Sequence, residues 1–316
     1  MLYSNTKNSA DGIKKVVNMD DIYKLQYWMK PDKINWGMLS FNPRAIYLLE
    51  ENMDMIHWYS FSENEHAIHL LERNIDKIDW NMLSRNPSAM HLLKRYFTKI
   101  NWDELSRNPS AIELLKQYPN KINWDNLSLN PNAIDILAEH PHKINWLWLS
   151  RNINAVHLVE KYNKIAWGYL TINPNAIYLI EKNINYVRGE YLSQNINAGH
   201  LLEKHSKKID WYHLSANPGA IHLLEKNLDK IDWYKLSQNP NATHLFEKNL
   251  DKINWYYLSE NPGIFTYDYK KMKENRLRNG MIEELTSRVF YPPRLMKLCS
   301  KYNIEFDELM EIYYCI

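Results

Sequence analysis

The chain has 316 residues, a formal net charge of +2, and 45% hydrophobic, 13% aromatic and 24% charged residues. This composition excludes a disordered chain, which has few aromatic residues and a large net charge. Its two cysteines are too few for a disulfide framework, which favours a reducing compartment. No apolar run approaches the roughly 18 residues that a membrane-spanning helix needs, and the N-terminus lacks the apolar core of a signal peptide.

Tryptophan recurs along the chain every 22 residues, with one step of 21. The anchors of successive units are Trp36, Trp58, Trp80, Trp102, Trp124, Trp146, Trp167, Gly189 (where tryptophan is lost), Trp211, Trp233 and Trp255. Such a period is typical of tandem repeats. It divides the chain into an N-terminal cap (1–32), eleven repeats (33–265) and a C-terminal cap (266–316). We expect a helix near Asp21–Met29 in the N-terminal cap.

Each repeat is predicted to form two short helices, with positions counted from the anchor. Asn or Asp precedes the first helix as its N-cap in eight repeats, at Asn35, Asp79, Asn101, Asn123, Asn145, Asp210, Asp232 and Asn254. Ser or Thr at +4 is expected to tie the turn between the helices. Asn at +6, attributed to capping, and usually Pro at +7 start a second helix of about ten residues. Its apolar residues at +9, +10, +12 and +13 form one face.

Two further features concern the loops between repeats. Asn249 is interpreted as a left-handed stop of the second helix. The single 21-residue step is attributed to a loop shortened by one residue within Tyr162–Ala166.

The predicted fold is therefore all-α, an α-solenoid of about eleven 22-residue two-helix repeats with helical caps at both ends. A horseshoe built from strands is disfavoured, because no segment alternates apolar and polar residues and Asn-Pro would interrupt a strand. A lone repeat cannot offset the roughly 33 kcal/mol needed to order it, so the repeats must stack. We expect an open rod or superhelix on the order of 100 Å long. The C-terminal cap is predicted to contain helices near Met281–Val289, Pro293–Tyr302 and Asp307–Tyr314.

The repeat core NWxxLSxNPxAIxLLE resembles the tandem repeats of large paralogous families in giant DNA viruses of the mimivirus type. The segments Glu283–Leu285 and Tyr291–Leu295 are similar to the helical ending that such proteins carry, although Tyr291 stands where that ending usually has His. The resemblance covers the chain from about Lys33 to its end. It implies a viral protein located in the virion or in the cytoplasm of the infected host cell, and it is uninformative about catalytic activity.

The residue patterns of catalysis and cofactor binding are absent from the sequence. It contains no GxGxxG, GxxxxGK[ST], HExxH or paired CxxC motif. Cys299 has no His near it in sequence and is interpreted as a buried structural residue. We therefore expect no enzymatic activity, no cofactor and no metal.

Histidine recurs at +11, which places six of the twelve histidines along one side of the solenoid. They are His69, His91, His157, His200, His222 and His244. A shared metal is disfavoured, because neighbouring repeats lie about 8–10 Å apart whereas two ligands of one zinc lie within roughly 3–4 Å. A half-exposed polar stripe is the simpler interpretation, and these residues remain candidates for partner binding.

The positions that vary most between repeats are +1 and +2, and many of them are aromatic. They include Tyr59, Trp148, Tyr169, Tyr191, Tyr212, His213, Tyr234, Tyr256 and Tyr257. Aromatic side chains with a polar tip are typical of protein interfaces. The alternative is that these rings only cover the edge of the neighbouring repeat.

The sequence favours a non-enzymatic repeat scaffold that binds viral or host proteins along its variable surface, as a structural, assembly or host-interaction protein. The alternative is a modular single-stranded nucleic-acid binder, with rings at repeated positions for base stacking. Nucleic acid is disfavoured because a net charge of +2 over eleven repeats provides no obvious basic stripe. Insertion into a membrane is not expected.

Overall fold

The structure, a computed structural model, describes residues 22–272 together with residues 295, 296 and 299. The chain divides into two compact units, one made of Leu25–Thr266 and the other of Met1–Lys24 with Tyr267–Ile316. All eleven anchors belong to the first unit. The helices predicted near Met281–Val289, Pro293–Tyr302 and Asp307–Tyr314 lie outside the described residues, apart from helical positions 295, 296 and 299.

The repeats form short helices that alternate between two kinds. Odd-numbered helices, called A helices, start at an anchor, and even-numbered helices, called B helices, start ten residues later. In chain order they are α1 (Trp36–Leu39), α2 (Ile46–Glu50), α3 (Trp58–Glu63), α4 (Ile68–Arg73), α5 (Trp80–Arg85), α6 (Met90–Arg95), α7 (Trp102–Leu105), α8 (Ile112–Gln117), α9 (Trp124–Leu129), α10 (Ile134–Glu139), α11 (Trp146–Arg151), α12 (Val156–Lys161), α13 (Trp167–Ile172), α14 (Ile177–Lys182), α15 (Gly189–Leu192), α16 (Gly199–Lys204), α17 (Trp211–Ser215), α18 (Ile221–Glu225), α19 (Trp233–Leu236), α20 (Thr243–Phe246) and α21 (Trp255–Leu258). Two short strands, β1 (Tyr23–Leu25) and β2 (Phe265–Tyr267), pair with each other.

Short 3-10 turns join the helices. They are Pro31–Lys33, Met53–Met55, Ile75–Lys77, Pro87–Ala89, Phe97–Lys99, Pro109–Ala111, Pro119–Lys121, Pro141–Lys143, Pro174–Ala176, Ile184–Tyr186, Ser206–Lys208, Pro218–Ala220, Leu228–Lys230 and Pro262–Ile264.

The N-caps predicted for the A helices are confirmed. At all eight positions the Asn or Asp side chain accepts a hydrogen bond from a backbone N–H in the first turn of the helix. This bond satisfies one of the N–H groups that a helix start leaves unpaired. The anchor therefore begins its helix because the residue before it supplies the missing acceptor.

The B helices are shorter than predicted. Asn-Pro starts a turn in place of the α-helix, which begins three residues later at +10 and runs for four to six residues. The prediction that Asn249 adopts a left-handed conformation was wrong, because Asn163 is the one non-glycine residue with positive φ in the described part of the chain. Asn249 instead donates its amide to the carbonyl of Leu245, at 3.0 Å, and so pairs a carbonyl at the end of the helix.

The shortened loop is at the predicted place. Asn163 has φ 51°, and the N–H of Lys164 donates to the carbonyl of Val159 at 3.0 Å. Asparagine tolerates the left-handed region better than other non-glycine residues. The left-handed conformation of Asn163 thus allows this repeat to close its loop with one residue fewer than the other repeats use.

The core is a layer of apolar side chains between A and B helices. The Leu or Phe at +3 is almost fully buried in every repeat, as in Leu83 and Phe61. Ala at +9 and apolar residues at +12 and +13 complete the layer, for example Ala89, Leu92 and Leu93. Small alanine at +9 allows the turn to pack closely, and the larger residues fill the space between the helices.

A ladder of buried asparagines joins the repeats. The Nδ2 of each +6 asparagine donates to two backbone carbonyls of the preceding repeat, those at +4 and +6; Asn130, for example, donates to Ser106 at 3.1 Å and Asn108 at 2.8 Å. Its Oδ1 accepts from the N–H at +8, which in this repeat is Asn132. All eleven +6 asparagines make this set of bonds. These asparagines therefore cap the turn in their own repeat and also join that repeat to the preceding one.

The +4 serine also connects repeats. Ser106 donates its hydroxyl to the carbonyl of its own anchor, Trp102, at 2.8 Å and accepts from the N–H of Asn123 at 3.0 Å. The expected tie between the two helices of one repeat was therefore wrong. The hydroxyl instead fixes the start of the next A helix.

The first repeat bonds to the last one in the same way. Asn42 donates to the carbonyls of Ser259, at 3.1 Å, and Asn261, at 3.0 Å, while the N–H of Asn35 donates to the Ser259 hydroxyl at 2.9 Å. The asparagine bonds are the same as those between all the other neighbouring repeats, and the serine bond is the same as in all of them except the pair of repeats 7 and 8. Residues 25–266 therefore form a closed ring of eleven repeats, and the expectation of an open rod was wrong.

The eleventh repeat is completed by the N-terminal segment. Residues 22–272 contain eleven A helices but ten B helices, because Phe265–Tyr267 forms β2 where the last B helix would start. Trp28 and Met29 are buried beside this gap, and the Trp28 ring lies 6.2 Å from that of Phe246. The predicted helix near Asp21–Met29 was wrong: Tyr23–Leu25 is a strand, which pairs with β2.

The A helices form the inner layer of the ring. Successive A helices pack closely against each other, whereas successive B helices are farther apart. In a closed ring the closely spaced layer must have the smaller radius. With about 9 Å between neighbouring axes, eleven A helices form a circle roughly 30 Å across. Side chains at +1, +2 and +5 lie on the concave face, because +3 and +4 are buried.

Candidate functional site

The concave face is divided into an aromatic part and a charged part. The apolar and aromatic side chains at +1 and +2 of repeats 6–11 are called the aromatic arc; Gly168, Glu190 and Lys235 occupy the remaining +1 and +2 positions of these repeats. The arc consists of Leu147, Trp148, Tyr169, Tyr191, Tyr212, His213, Tyr234, Tyr256 and Tyr257. Eight of the nine aromatic residues predicted at these positions thus lie on one side of the ring. Tyr59 belongs to repeat 2 and stands apart from them. The grouping follows from the order of the repeats in the sequence, whereas its position on a concave face follows from ring closure.

The rings of the aromatic arc touch across repeat boundaries. Trp148 and Tyr169 have centroids 5.5 Å apart, and Tyr234 and Tyr257 have centroids 4.8 Å apart. Tyr191 packs on the backbone of Gly168, where a Cβ would lie 3.2 Å from the ring. The rings therefore do cover neighbouring repeats, as the alternative interpretation proposed.

Much of this surface nevertheless remains open to a ligand. Tyr212, Tyr234 and Tyr256 keep 46%, 41% and 50% of their surface exposed, and Leu147 at +1 is exposed as well. The ammonium of Lys235 lies 5.0 Å from the Tyr212 centroid. The arc is a half-exposed row of rings, which suits it to apolar and hydrogen-bonding contacts.

A hydroxyl pair marks one end of the arc. The Tyr234 hydroxyl donates to that of Tyr257 at 2.8 Å. This hydrogen bond, with smaller contributions from burial and charge, raises the pKa of Tyr234 to about 12. Tyr234 therefore keeps its proton at physiological pH.

The charged part of the concave face is paired internally. Arg85 joins three repeats through Glu63, at 3.5 Å, and Glu104, at 2.5 Å. Burial lowers the pKa of Arg85, but the hydrogen bond and charge of Glu104, with the charge of Glu63, outweigh it and raise the pKa. Arg107 donates to the side chain of Asn126 at 2.9 Å. These side chains bind each other across repeats.

The histidine column lies on the outer face, on the B helices. His91, His222 and His244 pair with the glutamate at +14 of the preceding repeat, at 2.7, 3.4 and 2.8 Å. His69 differs, because its buried Nε2 has no hydrogen-bond partner. His157 and His200 are exposed.

Tyr178 takes the histidine's place in repeat 7. Its hydroxyl donates to Glu160, and this hydrogen bond raises the pKa of Tyr178 to about 12. The outer column thus bridges the wider gaps between B helices, which is a structural role. Among residues 22–272, 295, 296 and 299, no group of three or more His, Cys, Asp or Glu side chains could hold a metal ion.

The anchor tryptophans lie at one edge of the ring, half-buried. We call this the tryptophan edge; it consists of the ends of the B helices from +14 onward, the loops that follow and the starts of the A helices. Lysine at +19 covers the anchor in several repeats, as Lys143 does at 4.4 Å from the Trp124 centroid. Sequence reasoning identified the anchors as core-edge residues but did not examine the charges around them.

No protein-family model matches this chain, and no match was found among curated proteins or solved structures. None of the helices in the described ranges is long and apolar enough to cross a membrane. The surfaces must therefore be interpreted from their own chemistry.

Proposed function

We propose that this chain is a non-enzymatic scaffold that binds a segment of a protein partner on the concave face of its ring. The observation that carries the proposal is the aromatic arc, a half-exposed row of rings confined to one side of that face. Ring closure depends on the buried +4 and +6 positions, so folding does not require aromatic residues at +1. Other repeats place Asn81, Asp103 or Asp125 there.

The chemistry of the arc fits a protein ligand. Tyrosine and tryptophan provide large, rigid contact areas with a polar tip, and they dominate the binding energy of many interfaces. The arc carries few charges, so burying it under a partner leaves few charges unpaired. The outer histidine column is a weaker candidate, because three of its six histidines already pair with glutamates.

The biological setting proposed here follows from the sequence resemblance. A repeat protein of a giant DNA virus would bind virion components during assembly or proteins of the host, in the virion or in the cytoplasm of the infected cell. The absence of a catalytic motif supports a scaffold over an enzyme.

The experiment is affinity purification of the tagged chain from infected cells, followed by mass spectrometry. The variant Tyr212→Asn/Tyr234→Asp/Tyr256→Asn introduces residues that the chain itself uses at +1. The matched control is Tyr178→His, which removes an exposed tyrosine from the outer face and introduces the usual +11 residue.

We expect one or a few proteins to be recovered with the wild type and the control, and to be lost with the triple variant. Equal recovery with all three chains would contradict binding at the aromatic arc. Recovery that collapses after nuclease treatment would contradict a direct protein partner.

A further inference from the structure

Charge is unevenly distributed along the tryptophan edge. In repeats 3–6, positions +14 to +19 carry eight cations and two carboxylates, a net charge of +6. The cations are Lys94, Arg95, Lys99, Lys116, Lys121, Lys143, Lys161 and Lys164. The same positions of repeats 9, 10, 1 and 2 carry six cations and nine carboxylates. This part of the edge is therefore positively charged although the net charge of the whole chain is small. We call the residues of the tryptophan edge between positions 94 and 164 the basic arc.

Two positions distinguish the basic arc from repeats 1, 2, 9 and 10 of the edge. At +18, repeats 1, 2, 9 and 10 have aspartate, whereas repeats 3–5 have Thr98, Asn120 and His142. At +16, the same four repeats have Asn52, Asn74, Asn227 and Asn249, whereas repeats 3–6 have Tyr96, Tyr118, His140 and Tyr162. Acids are thus lost and rings gained in the same consecutive repeats.

The end of the B helix does not require a ring at +16. Each of the four asparagines donates its amide to the carbonyl four residues earlier, at 2.8–3.0 Å, and so pairs the end of the B helix. In Tyr96, Tyr118 and Tyr162 the backbone N–H pairs the corresponding carbonyl instead, at 2.8–3.2 Å, and His140 bonds through Nδ1 to the carbonyl of Ile136 at 3.0 Å. Both kinds of residue therefore pair the end of the helix, and the rings add an aromatic surface that this pairing does not need.

These rings form one pair per repeat with the anchor tryptophans. The centroids of Trp80 and Tyr96, Trp102 and Tyr118, Trp124 and His140, and Trp146 and Tyr162 lie 5.1–5.4 Å apart. Tyr118 remains 38% exposed. A cleft of about 650 Å³ lies beside the pair formed by Trp124 and His140; Lys116 and Lys143 line it together with the carboxylates of Asp135 and Glu139. Each of these four repeats therefore carries both a ring pair and at least one lysine or arginine on this edge.

We infer that the basic arc is a binding site for single-stranded nucleic acid. Cations spaced along a surface neutralise a phosphate backbone, and aromatic rings between them stack on unpaired bases. A duplex presents no free base faces to such rings. An anionic membrane would attract the same cations, but it offers no unpaired bases on which the rings could stack. This site is separate from the aromatic arc on the concave face.

The charge arrangement predicts a definite salt dependence. If each of the four repeats neutralises about one phosphate, the logarithm of the affinity falls with a slope of roughly −2.8 against the logarithm of salt concentration. Between 50 and 200 mM salt the affinity then drops about 50-fold. Binding through apolar contacts alone would show little change.

The test measures fluorescence anisotropy of a labelled 20-nucleotide oligouridine with the full chain. Thr98→Asp/Asn120→Asp places in repeats 3 and 4 the acid that other repeats use at +18. The matched control, Ser88→Asp/Ser110→Asp, adds the same charge to the same repeats on the opposite edge, where both serines are exposed. A third variant, Tyr96→Asn/Tyr118→Asn, introduces the asparagine used elsewhere at +16 and so is compatible with folding.

We expect the first variant to weaken binding at least tenfold and the control less than twofold. The ring variant should weaken binding at least tenfold, because each stacked base is worth about 1–3 kcal/mol. Absence of binding by the wild type at 50 mM salt would overturn the inference, as would equal affinity of all four proteins. A parallel assay measures the binding of the four proteins to vesicles that contain phosphatidylserine. If they bind with the same variant dependence and displace the RNA, the site is a membrane surface and the inference is wrong.

Discussion

The asparagine ladder makes a strong prediction about stability. In Asn130→Ala the carbonyl of Ser106 loses its bond from Nδ2, at 3.1 Å, and that of Asn108 loses one at 2.8 Å. The N–H of Asn132 loses its acceptor at 3.0 Å. An unpaired buried carbonyl costs about 1–3 kcal/mol, and the Asn108 carbonyl retains the N–H of Ala111. With about 1 kcal/mol for the lost cap, we expect a destabilisation of about 2–4 kcal/mol.

The assay is urea denaturation followed by far-UV circular dichroism and tryptophan fluorescence, with the midpoint compared at constant slope. The matched control is Asn132→Ser, because Asn132 is exposed and other repeats have serine at +8. It should cost less than about 1 kcal/mol. Asn42→Ala should cost as much as Asn130→Ala, since Asn42 makes the same bonds across the closure. An Asn130→Ala protein as stable as the control would refute this account of the ladder.

Three further perturbations test other parts of the ring. Tyr257→Phe removes the hydroxyl that raises the pKa of Tyr234, so spectrophotometric titration should show that pKa falling from about 12 towards 10. In the wild type this shift stabilises the fold below pH 10 and its contribution is lost as the pH rises from 10 to 12. Asn163→Gly should raise the stability or leave it unchanged in thermal melts, because φ 51° suits glycine; a loss above about 1 kcal/mol would contradict the left-handed conformation. Trp28→Ala should destabilise the protein by about 3 kcal/mol or more, because the ring is buried beside Phe246; a surface-like cost would show that the N-terminal segment does not complete the last repeat.

The repeat period and the caps could be predicted from the sequence because both are local. An N-cap needs one side chain next to its helix, so Asn35 and the seven equivalent residues were identified correctly. The length of the B helix was overestimated because Asn-Pro supports a 3-10 turn as readily as an α-helix. Whether this segment forms a 3-10 turn or an α-helix depends on how the residues around the alanine at +9 pack. No single residue of the sequence indicates that packing.

Ring closure could not be derived from the repeat pattern. The curvature depends on how much closer neighbouring A helices lie to each other than neighbouring B helices do. This difference is determined by contacts between side chains of different repeats. One signal was present in the sequence, however. The eleventh repeat lacks the usual second-helix sequence after Ile264, where Phe265–Tyr267 follows. The last repeat is thus incomplete, and the apolar residues Trp28 and Met29 precede the first repeat. This combination indicates a ring in which the N-terminal segment completes the last repeat.

The candidate surfaces were only partly foreseen, for the same reason. The aromatic residues at +1 and +2 were identified because they vary between repeats, and most of them lie in the consecutive repeats 6–11. Their position on a concave face could not be predicted, because it requires the closed ring. The basic arc went unnoticed because charge was considered over the whole chain. Comparing +16 and +18 between repeats would have found it, since Tyr118 and Asn120 differ from Asn227 and Asp229 at the same positions.

The most direct test of the closed ring is a comparison of two distances that a ring makes equal. Labels are attached by cysteine chemistry in a Cys299→Ser/Cys315→Ser background, either at Glu51 and Lys248 or at Gln117 and Lys161. Each pair is exposed, occupies +15 and spans two repeats of the ring. Double electron–electron resonance should give similar distances of roughly 20–30 Å for both pairs. A separation above about 60 Å between positions 51 and 248, with the other pair close, would show an open solenoid of nine intervening steps and contradict the ring.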